Sequence, residues 1–147
     1  RRVRESDQLI YDTIHQNAEA VAAQIEKIHA EETAILFYNN EQSLRSVVKL
    51  AYFSYRDHYL KFEELPAGDG YADLVYLPKK NSPLPALVIE LKWNQSAKGA
   101  IDQIRQKQYP KALEGYGGEV LLTGIGYDKN AKEGARKHSC VIEKMCI

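Results

Sequence analysis

The sequence predicts a mixed α/β domain: an N-terminal helical extension, then a helix, a three-strand meander, a helix and a further strand. Three observations carry that prediction. Ile10, Ile14, Val21, Ile25 and Ile28 recur at near-helical spacing close to the N-terminus. Two strand-like segments, Tyr71–Leu77 and Ala86–Trp93, flank the loop from Pro78 to Pro85, whose prolines, Asn and Ser mark a turn. A later apolar run, Glu119–Gly126, follows a helical stretch and reads as another buried strand. Helices and strands in this order belong to the mixed α/β class.

The elements follow in order. Ser6 or Asp7 can cap the first helix, which is expected to run unbroken to about His29. A turn region containing the short apolar piece Ala34–Phe37 comes next. A second helix is expected from Asn40 to about His58, with Leu44, Val47, Val48, Ala51 and Tyr55 on its buried side. Tyr59–Leu65 is the first strand, and Pro66-Ala-Gly-Asp-Gly70 turns the chain into the second. After the third strand a helix is expected from about Ser96 to Leu113, with Ala97, Ala100, Ile101, Ile104 and Ala112 on its apolar face. Pro110 should interrupt its last turn. Gly117-Gly118 ends that connection, and a polar stretch from Asp128 to Lys137 leads to a final short strand near Cys140–Cys146.

A chain of 147 residues is one domain with room for a sizeable core. Charged residues make up 27% and hydrophobic residues 44%, as in ordinary globular domains. No apolar run approaches the roughly 18 residues of a membrane helix, and no signal-peptide pattern is present. A membrane partner is therefore not expected. The start Arg1-Arg-Val-Arg, without Met, suggests a cut into a longer protein. Cys140 and Cys146 are too few for a disulfide framework, so reduced cysteines and a cytoplasmic setting are expected. Zero net charge argues against a protein that coats nucleic acid by electrostatics alone. Between Lys79 and Lys111, however, seven basic residues stand against only Glu90 and Asp102. That excess is either a phosphate-facing patch or a solvated helix face.

Charges inside the third strand locate a candidate site. Ala86–Trp93 is otherwise apolar, yet Glu90 and Lys92 share the face of Val88. Buried charges in a sheet cost several kcal/mol unless paired or bound to a metal. If the second and third strands form a hairpin about their Pro-rich loop, partners have numbers summing to about 163, which sets Asp73 opposite Glu90. Directly opposed residues have Cβ atoms about 4.5–5.5 Å apart. Two carboxylates that close need a cation between them or a shared proton. A divalent metal with oxygen ligands, such as Mg²⁺, meets that need, and Lys92, two residues along, would sit beside the metal-bound water. The alternative is an interstrand ion-pair cluster at the sheet edge. Gly68-Asp-Gly70 is not a phosphate loop, because it leads into a strand and not a helix N-terminus. His138, Cys140 and Cys146 lack the fourth ligand and the spacing of a zinc site.

Glu41, the Gly68–Asp73 turn, Glu90-Leu-Lys92, Gln103 and Tyr109 together resemble the PD-(D/E)XK nuclease superfamily. The chain is most similar to the nuclease-like domain that follows an AAA-ATPase-like domain in many bacterial proteins. The resemblance covers about residues 33 to 145. It implies a restriction-endonuclease-like core over 33–147, with residues 1–32 a helical connector from an upstream ATPase-like domain. It implies metal-dependent phosphodiester hydrolysis, with nucleic acid, most simply DNA, as substrate and Mg²⁺ or Mn²⁺ as cofactor. Asp73 and Glu90 would hold the ion, and Lys92 would orient the water or steady the phosphate. Glu41 matches an additional acid that is either a metal or water ligand, or an ordinary first-turn carboxylate. Gln103 matches a glutamine that completes the site in several branches. Tyr109 matches a paired tyrosine, at a spacing of six residues from Gln103 where the better-known exonuclease branch has four. Ala72 replaces the proline of the superfamily's name. A homodimer is a further expectation of such domains. A catalytically silent module of the same fold, binding nucleic acid or protein and regulating the ATPase part, is the alternative function.

Overall fold

The computed structural model describes residues 2–32, 40–67, 70–94, 99, 102, 118–132 and 134–146. Two helices, α1 (Arg2–Ile14) and α2 (Ala18–Glu32), stand where one was expected. The break is a Schellman turn centred on Gln16, which takes a left-handed φ of 61°. Its N–H donates to the Thr13 carbonyl at 3.1 Å, and the Asn17 N–H donates to the Asp12 carbonyl at 2.8 Å. These bonds satisfy carbonyls that a helix end leaves open. The buried Asp12 carboxylate ties the corner together by accepting from the side-chain amides of Gln8 (3.2 Å), Asn17 (3.0 Å) and Gln24 (2.6 Å).

Helix α3 (Glu41–Ala51) is capped by Asn40, whose side chain accepts the Ser43 N–H at 2.8 Å. It stops short of the expected His58, and the chain tightens into a 3₁₀ turn over Phe53–Asp57. One cause is visible at Ser54. Its backbone N–H is taken by the Ser6 hydroxyl at 3.0 Å instead of by a helix carbonyl.

Five strands form one sheet in chain order: β1 (Tyr59–Ala67), β2 (Gly70–Pro78), β3 (Ala86–Trp93), β4 (Glu119–Tyr127) and β5 (His138–Cys146). β1, β2 and β3 are an antiparallel meander, β4 runs parallel to β3, and β5 is antiparallel to β4. A parallel step needs a crossover connection. The helix expected at Ser96–Leu113 falls in that crossover, where Gly99 and Asp102 are helical and its other residues lie outside those described. Ala34–Phe37 and the tip Gly68-Asp69 also lie outside the described residues.

One face of the sheet carries the helices. Leu9, Ile25, Leu44 and Val48 pack with Leu74, Leu87, Ile89, Leu91 and Ile125 in one core. Full burial of such side chains contributes about 1.5–3 kcal/mol each. By strand alternation Val75, Val88 and Leu122 belong to the opposite face, and they are buried too. Helices with a five-stranded mixed sheet make an α/β fold, consistent with a restriction-endonuclease-like core and an N-terminal helical region. Among the described residues no helix is long and apolar enough to cross a membrane.

Candidate active site where two ladders part

The hairpin of β2 and β3 has the register expected from its loop: Leu74 pairs with Ile89, Val75 with Val88 and Tyr76 with Leu87. One step further along, Asp73 stands opposite Glu90, and there the ladder ends. The Leu91 N–H, past the last pair, is satisfied by the Asp73 carboxylate, with Oδ2 accepting at 2.9 Å. A side chain has taken the place of a strand partner, as the need to satisfy every buried N–H requires. Asp73 is only 8% exposed and Glu90 only 3%, so both acids lie in the low-dielectric interior.

Asp73 is balanced by a residue from α3. Arg45 donates from Nη2 to Asp73 Oδ1 at 2.6 Å and from Nη1 to Glu64 Oε1 at 3.1 Å. Burial works to lower the Arg45 pKa, but the bonds and charges of Glu64 and Asp73 outweigh it and the net shift is upward. The guanidinium is therefore firmly cationic.

Glu64 sits on β1 between the pairs Glu63–Leu74 and Leu65–Ala72, at the position facing Asp73. Its φ of 53° is left-handed, a conformation that costs a non-glycine residue about 1–3 kcal/mol. Both ladders of β2 thus part at Asp73. On the other side of β3 the parallel register sets Gly124 beside Glu90 and Gly126 beside Lys92. Neither neighbour projects a side chain over the site. Lys92 itself is half-buried and shares the Glu90 face by alternation.

Glu41 lies in the exposed first turn of α3, four residues before Arg45 and so on the same side of that helix. Gln103 and Tyr109 lie outside the described residues. Among the described residues no three His, Cys, Asp or Glu side chains are arranged as a metal cage. A hard cation such as Mg²⁺ asks for less, since one or two carboxylates plus waters commonly hold it. The donor chemistry of Asp73 and Glu90 fits such an ion.

Sequence reasoning missed Arg45 and Glu64. Finding Glu64 takes the exact register: Ala67 pairs with Gly70, partners sum to 137 and Glu64 faces Asp73, whereas centring on Gly68-Asp-Gly70 would set Leu65 there. Arg45 left a fainter trace, as a cation bordering the apolar stripe of α3.

Comparison with known proteins bears on the family. A family model described as the PD-(D/E)XK nuclease superfamily covers residues 39–137, a span that includes Glu41, Arg45, Glu64, Asp73, Glu90 and Lys92. No curated protein matches the chain.

Proposed function

Since the chain belongs to the PD-(D/E)XK nuclease superfamily, we propose that it hydrolyses phosphodiester bonds in DNA with a divalent cation held by Asp73 and Glu90. The supporting observation is the pair itself: two buried carboxylates on adjacent strands, opposite each other in register where the ladder ends. A bound Mg²⁺ or Mn²⁺ would supply Lewis-acid polarisation of the phosphoryl oxygen and a nucleophile from water near neutral pH. The chain's own residues do the rest. The Leu91 N–H fixes the direction of the Asp73 carboxylate. Lys92 donates hydrogen bonds to the attacking water or to a phosphoryl oxygen as charge develops. Glu41 supplies an additional acid from α3, and by resemblance Gln103 matches the glutamine that completes such sites.

The reading extends to partners by resemblance alone. Residues 1–32 lead out of an ATPase-like domain and two copies of the nuclease domain pair; a cytoplasmic setting rests instead on the two cysteines, too few for a disulfide framework. Light scattering on this chain tests the pairing, and a monomer at high concentration would remove it.

The test of the activity is cleavage of supercoiled plasmid, single-stranded DNA and RNA with Mg²⁺, Mn²⁺ or EDTA. Asp73→Ala and Glu90→Ala are expected to abolish metal-dependent cutting while the circular dichroism spectrum is kept. Undiminished cutting by either variant would sink the assignment. A second reading is favoured by one observation, the Arg45–Asp73 ion pair at 2.6 Å. It makes the domain a silent module that binds nucleic acid or protein with its acid already neutralised. Absence of any Mn²⁺ binding at millimolar concentration is the result that favours it.

A further inference from the structure

Arg45 bridges two carboxylates that differ in their freedom to move. The Asp73 side chain is 12% exposed and anchored by the Leu91 N–H, whereas the Glu64 side chain is 65% exposed. We propose that Arg45 is a displaceable counter-ion: it holds Asp73 in the cation-free protein, yields that carboxylate to an entering divalent cation, and stays beside the site on Glu64. The inference rests on the nuclease reading above and adds a positioning residue to it.

Three features carry it. A guanidinium and a divalent cation repel, so a cation arriving at Asp73 Oδ1 competes with the Arg45 ion pair there. Asp73 keeps its place through the exchange, because its other oxygen remains bonded to backbone. Glu64, held at a left-handed φ beside Asp73, provides the place to which the guanidinium withdraws. Once withdrawn, the planar fork has an Nη2 edge free to meet a phosphodiester oxygen, a geometry arginine suits better than lysine. An ion pair that merely ties α3 to β1 and β2 would behave differently. Its removal would loosen the acids and weaken cation binding.

The test is calorimetric titration of Mn²⁺ into the chain without DNA, comparing wild type, Arg45→Gln, Arg45→Lys and Asp73→Asn. Arg45→Gln is expected to bind Mn²⁺ about tenfold more tightly, since a cation beside the ligand is gone. Arg45→Lys keeps the charge but cannot fork across both carboxylates, and should fall between the two. Should Arg45→Gln fail to fold, the lysine variant carries the test through a several-fold tightening. Binding that Asp73→Asn removes but that neither Arg45 variant tightens overturns the counter-ion role alone. Binding by none of the proteins overturns the metal reading itself, and this role with it.

Discussion

At Asp73 one carboxylate serves strand pairing and ion balance together: one oxygen closes the β2–β3 ladder and the other meets Arg45. On the other side of β3, Gly124 and Gly126 of β4 flank Glu90 and Lys92 without side chains of their own. Lys92 is expected to act on the reaction more than on the ion. Lys92→Ala should lower the cleavage rate by about 10²–10³-fold, the size of a lost electrostatic stabiliser. Mn²⁺ affinity should change little, so steady-state kinetics beside a metal titration separate the two effects. A matching loss of affinity would make Lys92 part of the ion's binding environment. The Asp73–Glu90 opposition was legible because a Pro-rich loop fixes the hairpin's centre, and alternation then fixes every partner. Arg45 was not legible, because α3 and β2 meet only through the packing of the whole core.

At the scale of elements, β3 has the bounds expected of it, Ala86–Trp93, and β4 extends one residue beyond, to Tyr127. Strands bounded by Gly and Pro announce their ends, whereas helices broken by tertiary bonds do not. The corner between α1 and α2 depends on Gln16, which lacks glycine's ease at positive φ. The seven-residue step from Ile14 to Val21 fits a continuous helix or a broken one equally well. Likewise the Ser6–Ser54 bond that helps shorten α3 joins residues 48 apart, beyond any local pattern. Gln16→Gly should relieve the left-handed strain and stabilise the protein by about 1 kcal/mol. Thermal unfolding would show this as a raised Tm; an unchanged or lowered Tm would mean that the Gln16 side chain contributes more than its backbone costs.

Across the whole molecule, the N-terminal helices are fastened to the far edge of the sheet by an acid and a buried histidine. Glu26 of α2 accepts the backbone N–H groups of Lys137 (3.0 Å) and His138 (3.2 Å), as well as the His138 ring at Nδ1. The ring packs against Tyr127 with centroids 4.8 Å apart, and His29 lies 5.4 Å away. Burial lowers the pKa of both histidines, against the pull of Glu26. Burial works to raise the Glu26 carboxyl, but its bonds from His138 and Lys137 win and the net shift is downward. All three groups therefore act in one direction. Folding favours neutral histidines, so stability is complete above the ordinary value of 6.5 and declines as pH falls below it. It falls again below the ordinary value of 4.5, where Glu26 of the unfolded chain takes up a proton that the folded protein still resists. Thermal unfolding between pH 7.5 and pH 5, run for wild type and His138→Gln, should show a shallower decline in the variant; equal slopes would remove His138 from the acid response. The candidate site has a different relation to the chain's ends. Its described groups, from Glu41 to Lys92, occupy one uninterrupted run upstream of the parallel crossover. Hairpin contacts close early and parallel pairing waits for a longer loop. The acids, the lysine and the arginine are therefore expected to come together in a segment ending at Trp93, before the strand that flanks them can pair.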